Sequence, residues 1–429
     1  MRFWCEYAWL PDGPAAGVAI TVDGSRIVSV EPGVPREGTV LAGLTLPGFA
    51  NAHSHAFHRA LRGRTHADGG TFWTWRERMY AVAERLDPDS YLRLARAVYA
   101  EMVLAGFTSV GEFHYVHHAA EGKPYADPNA MGYALAQAAA EAGIRLTLLD
   151  TCYLTPGLEG GELSRAQRRF SDGDAQRWAS RVDDFRPEGL ARVGAAVHSV
   201  RAVPAEQIPV VKSWAAGRPL HAHLSEQRAE NEACLRVHGR TPSELLADLG
   251  VLGDGFVGVH ATHLTDKDVA LLGGSGACFC PTTERDLGDG IGPARQLADA
   301  GVMLSLGTDS HAVVDPFAEL LALEADERLA AESRGHFTPT ELVAAAARHE
   351  AIGWPEVGRI AEGAGADLVV VDTESVRTAG SEPLGVPLCA TAADVRDVMV
   401  AGEWVVREGR HLRIDRPAAE LAAVIEELL

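Results

Sequence analysis

Five residues spread through the chain have the types that bind a divalent metal and move protons: His53 and His55 in His53-Ser54-His55, then His223, His260 and Asp309. Imidazole nitrogens and carboxylate oxygens are the ligands zinc takes in hydrolytic sites, where one position stays open for water. Side chains alternate along a strand, so His53 and His55 face the same side and can converge on one ion. A single His-x-His among 17 histidines is weak by itself, since two hydrogen-bonded histidines at a strand end also explain it. The other members give the pair its weight. His223, His260 and Asp309 each close an apolar run where it meets a polar loop. His223 lies beside the loop and three residues before Glu226, which makes it a better ligand than His221. At the sixth strand His260 ends the run, and His263 beyond it is read as supporting the loop.

Strands must carry these residues to one place. Between residues 46 and 360, apolar runs alternate with amphipathic helical segments, the pattern of a parallel sheet covered by helices. Eight strands are expected, ending near His53, Glu112, Asp150, His198, His223, His260, Pro281 and Asp309, with a helix over 90–105. Polar residues at successive strand C-termini are where a (β/α)8 barrel does its chemistry. The expected fold is therefore α/β, a (β/α)8 TIM-like barrel.

A chain of 429 residues exceeds a lone barrel of about 250. The ends supply the surplus. An Asp23-Gly24 turn joins two β-rich runs at 17–22 and 26–30, and strands are expected over 366–372, 395–400 and 401–406. Both ends are expected to meet in one small β-sandwich, with 1–45 and 361–415 as its two parts, 46–360 as the barrel and 416–429 as a closing helix.

The formal net charge of −20 argues against nucleic acid as a partner, because phosphate binding needs a basic surface. An anionic ligand would need a local cationic pocket. Cys278 and Cys280 face the same way on a predicted strand and read as a buried pair; no second cysteine pair has zinc spacing. No apolar run approaches the ~20 residues that span a bilayer, and the first residues are neither basic nor steadily apolar. A cytoplasmic protein without a membrane partner is expected.

The order His-x-His, His, His, Asp resembles the amidohydrolase superfamily. Binuclear members carry a carboxylated lysine at the fourth strand. Here Lys123, Lys212 and Lys267 are the only lysines and none lies there, so the resemblance implies one metal. Further stretches resemble the formimidoylglutamate deiminase family along nearly the whole chain: Phe72-Trp73-Thr74-Trp75-Arg76, Glu112-Phe113-His114-Tyr115-Val116-His117-His118, His198-Ser199-Val200-Arg201 and Leu287-Gly288-Asp289-Gly290. The implied reaction converts N-formimino-L-glutamate and water to N-formyl-L-glutamate and ammonia. In that reading His53, His55, His223 and Asp309 hold one Zn²⁺ per subunit, Asp309 takes the proton of water, His260 stabilises developing charge, and Glu226 passes a proton to the leaving nitrogen. Arg76, Tyr115, His198 and Arg201 are the implied dicarboxylate-binding set, with the segment around Arg76 as a lid loop, and a homodimer is implied. His58 stands where the family usually has Gln. Thr282-Thr283-Glu284-Arg285-Asp286-Leu287 is more charged than that loop is expected to be.

Two other readings compete. Another mononuclear amidohydrolase, an imidazolonepropionase or an aromatic-base deaminase, shares the metal and acid groups; Arg76 and Arg201 argue against an uncharged base. A metal-free binding protein on the same barrel is the other, since fold does not fix function.

Overall fold

Eight buried runs form the parallel sheet: Phe49–Ser54, Phe107–His114, Arg145–Cys152, Ala191–Val197, Leu220–Leu224, Phe256–His260, Gly276–Phe279 and Met303–Leu306. They pair in sequence order, and a parallel bridge from Ser54 to Asp309 brings the last strand back to the first. The computed structural model describes residues 1–65 and 72–429, without the side chains of Phe72 and Trp73. Each strand ends within three residues of its expected position. This is the expected TIM-like barrel.

The return of the eighth strand depends on close backbone approach. The Thr308 and Asp309 amides both donate to the His53 carbonyl, at 3.1 and 2.9 Å, and the Asn51 amide nitrogen donates to Thr308 Oγ1 at 2.7 Å. Gly307 makes this possible, because a Cβ there would stand 2.7 Å from His53 O and 2.8 Å from His53 N. The same contacts that finish the sheet set Asp309 against the His-x-His pair.

Strands from both termini form the second layer, one eight-stranded mixed sheet. Its order is Arg410–His411, Glu403–Arg407, Val395–Val400, Leu368–Val371, Thr39–Pro47, Arg2–Leu10, Gly13–Asp23 and Arg26–Glu31. The Leu368–Val371 strand is buried on both faces. Leu368 and Val370 enter the small core with Phe3, Val18 and Ile20, whereas Val369 and Val371 pack into the barrel core. Each such side chain contributes about 1.5–3 kcal/mol of burial, so this strand welds the two layers. A bidentate ion pair between buried Arg145 and Asp367, both bonds 2.9 Å, fixes the third barrel strand to the same edge.

Helix Pro88–Leu104 opens with Asp87 as N-cap, in a reciprocal capping box with Ser90 and Pro88 in the first turn. Helix Pro417–Leu428 packs on it through Leu421, Val424, Ile425 and Leu428, which share one face, and through Arg93–Glu427 and Arg96–Glu420 pairs. No helix among the described residues is long and apolar enough to cross a membrane.

Two buried histidines, His349 and His117, make stability pH-dependent. His349 donates from Nε2 to Gly48 O at 2.8 Å, and burial pushes its pKa down to about 4. His117 donates to Thr151 O at 2.9 Å, and burial together with Arg181 pushes it down to about 4 as well. In the unfolded chain both titrate near the ordinary 6.5. Between those values the unfolded state binds protons that the folded state refuses. Each group therefore lowers stability by up to ~1.4 kcal/mol per pH unit as pH falls below about 6.5. The urea midpoint of the wild type, taken relative to His349→Gln so that carboxyls of opposite sign such as Glu112 cancel, is expected to hold steady above pH 7 and fall progressively from pH 6.5 to 4.5. A flat difference across that range would refute this assignment.

Candidate metal centre and active site

The first barrel strand delivers His53 and His55 and the fifth delivers His223, and two of these three imidazoles are pinned from behind. His55 donates from Nδ1 to Phe113 O at 2.9 Å, and His223 from Nδ1 to His198 O at 2.9 Å. Those bonds leave the Nε2 lone pairs of His55 and His223 facing inward. Behind the pair, buried Glu112 accepts from Ser54 Oγ at 2.7 Å and from the Ala56 amide at 2.6 Å, which fixes the turn out of the strand. Burial pushes the Glu112 carboxyl up to about 7.

The inward atoms converge. His53 Nε2 lies 3.3 Å from His223 Nε2 and 3.3 Å from Asp309 Oδ1, and His55 Nε2 lies 3.3 Å from the same oxygen. Burial keeps the three imidazoles neutral: His55 is pushed down to about 3, and His53 and His223 well below the ordinary value. With Nδ1–H fixed on His55 and His223, their Nε2 atoms and the Asp309 oxygen are acceptors gathered around His53 Nε2, an arrangement that a cation would join. A tetrahedral ion with bonds of ~2.0–2.1 Å has ligand–ligand edges of ~3.3–3.4 Å, which matches the three measured separations. The donor set therefore fits a divalent metal. His53, His223, His260 and Asp309 also group within 4.8 Å, as do His55, His58 and Asp309.

His260 stands apart electrostatically. Burial alone would lower its pKa, but Glu226, Glu284 and Asp309 outweigh burial and raise it to about 10. Its Nδ1 donates to Glu284 Oε1 at 3.2 Å, and its Nε2 lies 3.9 Å from Glu226 Oε1. It is a proton donor among acceptors.

Backbone strain is concentrated at the same rim. Ser225, His260, Ala261, Asp309 and His311 have φ of 51°, 69°, 49°, 41° and 58°. Left-handed non-glycine residues cost roughly 1–3 kcal/mol each and persist where the surroundings over-determine them.

A cavity of about 220 Å³ opens over this centre. His55, His223, His260, Glu226 and Asp309 line one side, and Arg76, His58, Tyr115, His198 and Arg201 line the rest. All the residues singled out from sequence are thus brought together, with His53 beneath. His58 Nε2 and Tyr115 Oη are 3.0 Å apart, and His198 Nδ1 lies 3.2 Å from Ser199 Oγ. Arg201 reaches Glu226 Oε2 from Nη2 at 3.2 Å and Glu230 Oε1 from Nε at 3.4 Å.

Two differences from the sequence reading stand out. The described part of the segment around Arg76 is a helix, Phe72–Arg85, rather than a loop; Thr71 lies outside the described residues. Trp75, Met79 and Val82 recur at helical spacing and are buried, a period masked by the density of aromatic residues. Glu230 carries no signal in the sequence reading, and Glu284 stands out there only as part of a stretch more charged than expected. Glu230 follows Glu226 by one helical turn and is buried, and burial raises its pKa although Arg201 opposes the shift. Asp289, in the Leu287-Gly288-Asp289-Gly290 stretch, accepts from Gln227 Nε2, and burial with nearby Glu226 raises its carboxyl to about 8.

Comparison with known proteins places this geometry in context. The profile of the amidohydrolase family matches residues 44–405. A formimidoylglutamate deiminase from Pseudomonas aeruginosa is 38% identical over 452 aligned positions, covering 99% of each chain. The crystal structure of an amidohydrolase from Brucella melitensis superposes with a TM-score of 0.91 at 34% identity, covering 100% of this chain and 99% of that one. Atrazine chlorohydrolase from Arthrobacter aurescens, solved with zinc, shares the fold with a TM-score of 0.88 at 23% identity, covering 99% of each.

Proposed function

Because this chain belongs to the amidohydrolase family, a family of metal-dependent hydrolases, we propose that it deaminates N-formimino-L-glutamate to N-formyl-L-glutamate and ammonia. The observation that carries the reading is one pocket with the His–Asp donor set on one wall and Arg76 and Arg201 on another. In a protein of net charge −20, two arginines in a small cavity suit a small dicarboxylate. The likeness to the Pseudomonas deiminase along the full chain supports the same substrate.

His53, His55, His223 and Asp309 are the proposed holders of one zinc ion per subunit. A divalent metal there supplies the Lewis acidity that makes water nucleophilic near neutral pH. Asp309 receives the proton as water adds to the formimino carbon. His260, protonated and aimed from Nε2, donates to the oxygen on which charge develops. Glu226 carries a proton to the departing nitrogen, since ammonia leaves poorly until protonated. The C–N bond then breaks and the carbon becomes the formyl group. Arg76 and Arg201 grip the carboxylates, His198 and Tyr115 orient the chain of the substrate, and His58 supplies the hydrogen bond a glutamine would make. The surrounding aromatic wall excludes bulk water. A homodimer belongs to the same reading.

Ammonia release from N-formimino-L-glutamate by zinc-loaded protein is expected at ~1–10³ per second, with at least roughly 100-fold lower kcat/KM on N-formimino-L-aspartate, imidazolone propionate and guanine. Dipicolinate treatment should abolish turnover, and added Zn²⁺ should restore it. Preference for guanine or imidazolone propionate would replace this reading with one of its rivals. Full activity in protein shown to be metal-free would remove the mechanism altogether.

A further inference from the structure

The charged stretch from Thr282 to Leu287 is not accounted for by the barrel or the metal set. It starts the short helix Pro281–Leu287, directly after the seventh strand, between the sixth and eighth strand ends. Two adjacent residues in it reach in opposite directions. Thr283 Oγ1 donates to Thr308 O at 3.1 Å, lies 3.0 Å from Ser310 Oγ, and accepts from the Ser310 amide at 3.2 Å. Those contacts hold the residues on both sides of Asp309. Glu284 Oε1 accepts from His260 Nδ1 at 3.2 Å and from the Cys280 amide at 2.8 Å. Both side chains are buried, Thr283 fully and Glu284 to 5% exposure.

The residues so held are the ones the backbone would not hold alone. His260 and Asp309 have φ of 69° and 41°, conformations that a free loop of non-glycine residues would leave. The remaining members of the stretch anchor it from outside. Thr282 donates from its amide to Glu319 Oε2 at 3.0 Å, and Arg285 pairs with Asp326 at 2.7 Å; both partners lie on helix Pro316–Ala331.

We propose that Thr283 and Glu284 form a bracket that aims Asp309 and His260 at the same reacting carbon, acting as positioning residues on the base that takes the proton of water and on the hydrogen-bond donor to the developing charge. Glu284 fixes the proton on His260 Nδ1 and the plane of the ring, so that Nε2 faces the substrate. Thr283 fixes the tilt of the Asp309 turn. Neither lines the substrate cavity itself. The inference rests on the deiminase reading for the roles of Asp309 and His260.

The test uses zinc-loaded full-length protein, with metal content and urea midpoint measured for every variant. Thr283→Val and Glu284→Ala are expected to lower kcat by about 10-fold and about 100-fold, with KM within threefold and metal content unchanged. Thr283→Ser and Glu284→Gln keep the acceptor oxygen and should recover most of the loss. In ¹⁵N-histidine NMR of the zinc-loaded wild-type protein, His260 should carry a proton on Nδ1 that exchanges slowly with water and becomes labile in Glu284→Ala. If Glu284→Ala does not fold, that wild-type resonance and the Thr283 pair decide the matter. The bracket is overturned if kcat stays within threefold in both disruptive variants, if metal content falls in step with kcat, or if wild-type His260 Nδ1 bears no proton. Failure of the wild-type protein to deaminate N-formimino-L-glutamate would refute the substrate, and the NMR and metal measurements would still decide the bracket.

Discussion

Asp309→Asn is expected to cut ammonia release from N-formimino-L-glutamate by at least about 10³-fold while leaving the fold intact. Asparagine matches aspartate in shape and tolerates the left-handed backbone that residue 309 adopts, with φ of 41°. The Thr308 and Asp309 amides bonded to His53 O do not involve the side chain, so barrel closure survives. The carboxylate is lost twice over. Its Oδ1 is the atom 3.3 Å from both His53 and His55 Nε2, and an amide oxygen is a weaker ligand there. The amide also cannot accept a proton from water. His260→Asn separates these effects, because it should keep the metal and lose roughly 10²–10³-fold, the usual cost of removing one donor to a developing oxyanion. Ammonia release within tenfold of wild type in Asp309→Asn, with metal bound, would remove Asp309 from the proton path.

Much of this site was legible because barrel chemistry sits where apolar runs stop. An inward strand ends at a point that hydrophobicity marks, and the polar residue there stands out against its neighbours. His53, His223, His260 and Asp309 were all visible in that way. The joining of the two chain ends was legible from β-rich runs and an Asp-Gly turn, and the observed sheet places Thr39–Pro47 between Leu368–Val371 and Arg2–Leu10. Glu230 and Glu284 carry no such mark. A carboxylate in a helix's first turns reads as a solvated cap favoured by the helix dipole, and only the approach of another element buries it. Arg201 and His260 are those neighbours, contributed by segments 29 and 24 residues away in sequence. Arg201 was legible as a cation near the mouth but not as one already shared by two carboxylates.

That sharing sets the outcome of Arg201→Met, which should raise KM for N-formimino-L-glutamate by roughly 10–150-fold, the value of a charged hydrogen bond of about 1.5–3 kcal/mol. Metal content should not change, because Arg201 pairs with Glu226 and Glu230 rather than with any proposed ligand. Stability, however, should fall. Glu230 is 2% exposed and has no hydrogen-bond donor on either oxygen, so the guanidinium 3.4 Å away is its counter-charge. Stripping one partner from a buried pair typically costs about 3–5 kcal/mol. Burial already raises the Glu230 pKa, and loss of Arg201, which lowers it, raises it further. A carboxyl with a raised folded-state pKa destabilises the fold as pH climbs from its unfolded value through its folded one. The deficit of Arg201→Met should therefore be small near pH 5 and grow toward pH 8. Arg201→Met with Glu230→Gln removes the stranded charge, so the urea midpoint should largely recover while KM stays high. A single variant with wild-type KM would take Arg201 out of substrate recognition. A double variant that recovered both properties would show that the single variant had failed through misfolding rather than through loss of the clamp.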